Sequence, residues 1–198
     1  MEVVISELKK YEIDEVADLL ANSMCNNPNH LAIFKSNNET VIKKQQQMFK
    51  MLLQNSNNKC FVARLNGQIV GSMSYTTSNH CQLSLWELFV SLPKFIAIFG
   101  SNIVTVLKWR MNWAKHDCKN KHIHFGPIAV HTNHQGKGVG KALMTHFCKY
   151  IDTTFQIAYL ETDKVENVSL YVKYGFNVTE TDTLFGNTNW FMLRVNNN

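Results

Sequence analysis

The chain has 198 residues, a formal charge of +5, and 45% hydrophobic against 18% charged residues. These values exclude a disordered polymer and allow one domain over residues 1–198 with a core of its own. Five cysteines, Cys25, Cys60, Cys81, Cys118 and Cys148, include no Cys-x-x-Cys pair and are odd in number, which argues against a disulfide framework or a metal site and suits free thiols in a reducing compartment. The basic excess fits an anionic ligand. No dense Lys/Arg run or nucleic-acid-binding signature accompanies it. The first residues, Met1 to Ser6, carry no basic segment leading into an apolar stretch, so a cytoplasmic location is expected.

In chain order, Val3 to Leu8 reads as a first strand. Asp14, Val16, Leu19 and Leu20 mark an amphipathic helix that ends near Asn26, with Pro28 discouraging its continuation. Glu39 to Gln54 reads as a second helix, with Val41, Gln45, Met48 and Leu52 on one side and Met51 and Leu53 widening it. Cys60 to Leu65 and Gln68 to Tyr75 form a hairpin about Asn66-Gly67. Residues 80–122 carry a helical stripe of Phe95, Phe99, Ile103, Leu107 and Trp113, with Trp109 near it. A membrane span needs ~20 mostly apolar residues; Lys94, Ser101, Asn102, Lys108 and Arg110 interrupt this one, so no membrane partner is expected. Ile123 to Val130 is a strand, and Val139, Leu143, Phe147 and Ile151 track one face of a following helix. Tyr159 to Thr162 ends a further strand. A last pair, Phe176 to Thr181 and Asn189 to Val195, flanks a turn at Gly186-Asn187, and Asn196 to Asn198 read as a frayed tail.

Between the fourth strand and its helix runs Gln135-Gly136-Lys137-Gly138-Val139-Gly140-Lys141-Ala142-Leu143. Three glycines in five positions let backbone N–H groups and a helix N-terminus face one anion, most often a phosphate. A P-loop fails here, because the spacing is one residue short and Ala142 stands where the hydroxyl belongs. The dinucleotide fingerprint fits somewhat better through Gly136 and Gly138, with Glu161 as the ribose acid, but Lys141 takes the third glycine's place. Too little chain follows Glu161 for that fold. A glycine-rich turn without a ligand is the plain alternative.

The second segment, Asn167-Val168-Ser169-Leu170-Tyr171-Val172-Lys173-Tyr174-Gly175-Phe176, reads as a short helix closed by Gly175. With Gln135, Gly138 and Gly140 before it, the chain resembles the GNAT superfamily of N-acetyltransferases, closely over residues 123–176 and elsewhere by order of elements. The resemblance implies an α/β (α+β) fold: a mixed, twisted sheet of about seven strands with flanking helices. Residues 80–122 would be a helical insert between the third and fourth strands, either a lid on the acceptor cleft or core with a dimer face. Trp86, Glu87 and Phe89 open it, and an aromatic beside a carboxylate suits an amine.

The same resemblance implies acetyl-CoA as co-substrate and direct attack by a primary amine in a ternary complex. The pantetheine arm would lie along Ile128, Ala129 and Val130, and the diphosphate on the amides of Gly136, Lys137, Gly138, Val139, Gly140 and Lys141, with Gln135 heading the loop. Asn167 would bond the cofactor arm or cap its helix. Tyr171 would protonate the departing sulfur, or pack as a core aromatic. An amine attacks only as the neutral base, and Glu161, His124 or a water relay would take its proton; Glu87 and His122 are further candidates. A small-molecule or peptide amine is the expected acceptor, and a homodimer is common in the family. A transferase of longer acyl groups, and a CoA-binding sensor without turnover, are the alternatives. No metal is expected.

Overall fold

The computed structural model describes residues 2–82, 84–154 and 157–195; the tail Asn196 to Asn198 lies outside them. Seven strands form one sheet in the order β1-β2-β3-β4-β5-β7-β6. They are β1 (Val4–Glu7), β2 (Lys59–Leu65), β3 (Gln68–Thr77), β4 (Ile123–Val130), β5 (Ile157–Thr162), β6 (Asn177–Leu184) and β7 (Asn187–Val195). The α-helices among the described residues are α1 (Ile13–Met24), α2 (Pro28–Phe34), α3 (Glu39–Gln54), α4 (Leu85–Phe99), α5 (Ile103–His116), α6 (Val139–Thr154) and α7 (Val165–Val172).

One face of the sheet is covered by α6. Its stripe Val139, Leu143, Phe147 and Ile151 is buried against Met73, Tyr75, Phe125 and Leu160, each full burial worth about 1.5–3 kcal/mol. On the other face, α1 and α3 bury Val16, Ala17, Leu20, Phe49 and Leu53 against Val62 and Ile69. The close approach of α6 to β3 depends on Gly71. A Cβ there would meet Val139 Cγ1 at 2.9 Å and the Ala129 carbonyl at 3.0 Å.

Several expected elements move. Helix α1 stops at Met24, two residues before the expected Asn26, and Pro28 opens α2, which was not expected from the sequence. Proline suits a first helical turn, where its missing N–H has no intrahelical partner. The Asn66-Gly67 hairpin stands, both residues at positive φ (52° and 82°). The last turn falls on Phe185-Gly186 (φ 54° and 81°) rather than Gly186-Asn187, because Leu184 pairs with Asn187. The insert is two helices. Gly100, at φ 54°, breaks it between α4 and α5, and Ser84 and Glu87 form a capping box at the start of α4. By length and composition alone, Trp86–His116 suffices to cross a membrane, despite its charged residues, and its most apolar window is only 17% buried. In this fold it bends at Gly100 and buries Ile98, Phe99 and Val106 against Ile33 and Phe34 of α2.

Among the described residues β4 and β5 form the one parallel pair, and it is short: Ile123 faces Ala158 and His124 faces Tyr159. Past those two rungs the strands part. A register irregularity on the other side of β4, between Met73 and Tyr75, coincides with Gly126-Pro127, where proline cannot donate to the ladder.

Candidate functional site

The parting of β4 and β5 opens a cavity of about 1140 Å³. Ile128, Ala129 and Val130 line it from β4, Gln135 and Gly140 from the glycine loop, Glu161 from β5, and Asn167 and Tyr171 from α7. Of the expected cofactor groups, Ile128, Ala129, Val130, Gln135, Gly140 and Asn167 share this space with the expected catalytic groups Tyr171, Glu161 and His124, while Gly136, Lys137, Gly138, Val139 and Lys141 lie outside its lining. Ile128 to Val130 still pair with Met73, Ser72 and Gly71 on one edge, while their other edge faces the gap. Gly136 and Gly138 hold positive φ (75° and 82°) in a turn leading straight into α6, and added side chains there would meet nothing within 4 Å. That leaves exposed loop backbone and a helix N-terminus, the arrangement that binds phosphate. Gln135 Nε2 donates to the Val130 carbonyl at 3.3 Å and ties the loop to the end of β4.

Tyr171 is buried with its ring against Phe125 and Phe176. Burial, reinforced by the Asp163 charge, drives its phenol well above the ordinary tyrosine range, so it stays protonated. The end of α7 fixes it: Gly175 N–H donates to the Val172 carbonyl (3.0 Å) and Phe176 N–H to the Tyr171 carbonyl (3.2 Å). These two bonds form a Schellman motif, with Gly175 at φ 81°. Asn167 does not cap this helix. Lys164 holds the cap position, and Asn167 Nδ2 donates to Thr162 Oγ1 at 3.3 Å.

Strand alternation sorts β4 and β5 into two faces. Ile123, Phe125, Ala158 and Leu160 join the α6 core. His124, Tyr159 and Glu161 point the other way. His124 Nε2 lies 2.9 Å from Glu161 Oε2, so two groups weighed as rival bases form a pair. The Glu161 side chain is 2% exposed, and its Oε1 is buried without a hydrogen-bond partner. Desolvation works against a charged His124, but the Glu161 carboxylate and Cys81 outweigh it and lift the imidazole to about 10. His122 is likewise lifted to about 10: desolvation opposes its charge, and the nearby Asp117 carboxylate, Cys81 and the Asn120 carbonyl overcome that. Cys81 moves below the ordinary thiol range, because hydrogen bonding with His122 and His124 outweighs its burial.

Glu87 is spent as a cap: its Oε2 accepts from the Ser84 N–H at 2.8 Å. Trp86 and Phe89 stay stacked and exposed at 72% and 68% on α4, with Trp86 and Glu87 at the cavity wall. The sequence reading missed His30, Asp163 and Arg110, which line the same cavity. His30 arrives with the overlooked α2. Its Nδ1 pairs with buried Gln45 at 2.7 Å, and burial keeps the ring neutral. Asp163 accepts the Asn29 N–H at 2.8 Å and so fastens α2 to the end of β5.

Residues 29–176 match the acetyltransferase (GNAT) family, and the chain belongs to that family. Solved structures share the fold. A Corynebacterium glutamicum protein, described as histone acetyltransferase HPA2 and related acetyltransferase, aligns with TM-score 0.77 at 19% identity over 98% of this chain and 97% of its own. An agmatine N-acetyltransferase aligns with TM-score 0.66 at 12% identity, covering 99% and 100%. The PaiA N-acetyltransferase of Thermoplasma acidophilum, in complex with coenzyme A, aligns with TM-score 0.61 at 13% identity, again covering 99% and 100%.

Proposed function

We propose that this chain transfers an acetyl group from acetyl-CoA to a primary amine, the amine attacking the thioester directly. The observation that carries the reading is the shared cavity, where Gln135 and Gly140 at the two sides of the glycine loop, the free edge of β4, a buried phenol and a buried carboxylate converge. The diphosphate rests on the amides of residues 136–141, where dipole and N–H groups favour an anion. The pantetheine arm runs beside Ile128, Ala129 and Val130. Lys137 and Lys141 add positive charge at the loop.

The amine enters from the side of Glu161. Glu161 Oε1 is available to take its proton, while Oε2 is held by His124. The nitrogen forms a bond to the acetyl carbon and the carbon–sulfur bond breaks. Tyr171 hands its proton to the sulfur, and its raised pKa keeps that proton available at neutral pH. The likeness to an agmatine N-acetyltransferase supports an amine acceptor, as do Glu161, Asp163 and Glu166 in the cavity wall.

Calorimetry with coenzyme A and free-thiol release from acetyl-CoA against pools of polyamines, amino acids and peptides test the reading. Amine-dependent thiol release supports it; saturable coenzyme A binding without such release across all pools would make the chain a sensor. Tyr171→Phe should lower kcat by about 10²–10⁴-fold, the usual worth of a positioned acid, and change coenzyme A affinity far less. Equal losses in both would remove Tyr171 from the proton transfer.

A further inference from the structure

Beside the cavity, four side chains from separate parts of the chain converge. Cys81 precedes α4, Asp117 follows α5, His122 stands just before β4 and His124 lies within it. Their ligand-type atoms all lie within 4.8 Å of one another. His122 Nε2 is 3.2 Å from Asp117 Oδ1, and His124 Nδ1 is 3.9 Å from the same oxygen. Cys81 Sγ is 3.3 Å from Asp117 Oδ2. Zinc bonds of about 2.0–2.3 Å place tetrahedral ligands roughly 3.3–3.8 Å apart. The observed spacings, two to Asp117 Oδ1 and one to its Oδ2, run from 3.2 to 3.9 Å, and the whole set, within 4.8 Å, needs small side-chain shifts to close on one ion.

A second observation is independent of proximity. Asp117 Oδ1, His122 Nε2 and His124 Nδ1 are buried, and although they face one another at ion-pair distance none of them makes a hydrogen bond of good geometry. His122 is 1% exposed, so water does not satisfy it freely, and an unpaired buried polar atom is costly. The opposite nitrogen of each ring is engaged. His122 Nδ1 meets the Asn120 carbonyl at 2.8 Å, and His124 Nε2 meets the Glu161 carboxylate at 2.9 Å. Both partners only accept, so each ring donates outward and, when neutral, turns a lone pair toward Asp117. A metal-bound histidine is oriented in this way by a carbonyl or carboxylate behind it.

We propose that Cys81, Asp117, His122 and His124 bind one zinc ion. A thiolate and two imidazoles disfavour magnesium and calcium, which take oxygen ligands. Four protein donors fill a tetrahedral shell and leave no open position, the pattern of a structural ion. The ion would join both ends of the α4–α5 insert to the start of β4. It would thereby hold the cavity wall, and through His124 it would steady Glu161. The cysteine pattern concealed the site because only one cysteine takes part and its partners are spread from residue 81 to residue 124.

The test uses the full chain, free of any affinity tag, loaded with zinc chloride and then dialysed. Expected is about one zinc per chain by mass spectrometry of the metal, with a lower Tm after removal by EDTA. Cobalt(II) in its place should give a thiolate-to-cobalt charge-transfer band and tetrahedral visible bands. Cys81→Ser should lose the charge-transfer band and bind zinc roughly tenfold or more weakly, since even outer partners of a metal site are worth that much. The proposal is overturned if the unaltered chain retains no zinc above the Cys81→Ser level, or if its cobalt spectrum is octahedral without a thiolate band. The cobalt spectrum of the unaltered chain decides the matter even if the variant fails to fold, and neither readout depends on acetyl transfer.

Discussion

Glu161 is the residue on which the proposed proton path turns. Its carboxylate is buried and held on one side by His124 at 2.9 Å, with the other oxygen buried and without a hydrogen-bond partner. Glu161→Gln keeps the shape, and the amide oxygen can still accept from His124. It cannot take a proton. Turnover should fall by about 10²–10⁴-fold, measured by thiol release at saturating acetyl-CoA, while coenzyme A affinity moves far less. A variant turning over at the original rate would assign the proton to water. The sequence offered both residues of this pair but not their pairing. They lie far apart in the chain, and only the parallel register, His124 beside Tyr159, brings Glu161 two positions along the same face to the imidazole. The Cys81–Asp117 convergence was hidden for the same reason: it needs the path of a two-helix insert, which periodicity does not supply.

At the scale of elements, the glycine loop is placed by the contact of α6 on β3. Gly71 makes that contact possible, since a Cβ would press on Val139 Cγ1, on a backbone carbonyl and on Leu143 at 3.3 Å. Gly71→Ala should therefore cost about 1–3 kcal/mol, the range for overfilling a packed core. It should also weaken coenzyme A binding, because Val139 is the first residue of α6. Thermal unfolding and calorimetry on the one variant check both; a Tm at or above that of the unaltered chain would show that the helix shifts without penalty. Elements with strong local chemistry were legible. The α3 bounds, the Asn66-Gly67 turn and the α6 stripe follow from turn residues and a helical period. The seven-residue α2 was not, being too short to show a period, and Pro28 signals a stop as readily as a start. The last hairpin slipped by one residue because bulky Phe185 adopts a positive φ, which no propensity favours.

At the scale of the whole molecule, the insert must stay docked on the sheet for the cavity to have a wall. Besides its apolar contacts, α5 is tied down by polar ones. Tyr159 Oη donates to the His116 carbonyl at 3.1 Å. Asp182 of β6 accepts from Asn112 at 2.8 Å, lies 2.9 Å from His116 Nε2, and takes the Thr183 N–H at 2.7 Å. The His116 bond, then Asn112 and Thr183, lower the Asp182 carboxyl to about 2. An unfolded aspartate titrates near ~3.9. A group depressed on folding stabilises the fold above its unfolded pKa, and that contribution fades as pH falls through the folded value. The Tm advantage of the unaltered chain over Asp182→Asn should thus be constant near neutrality and shrink as pH drops from about 4 toward 2. Glu180, which meets His116 Nδ1 at 2.8 Å, is common to both proteins. Thermal unfolding of the two proteins across that range measures the difference directly. A gap that stays constant as the acid is added would mean that Asp182 holds α5 through its neutral hydrogen bonds, and that charge plays no part in seating the insert.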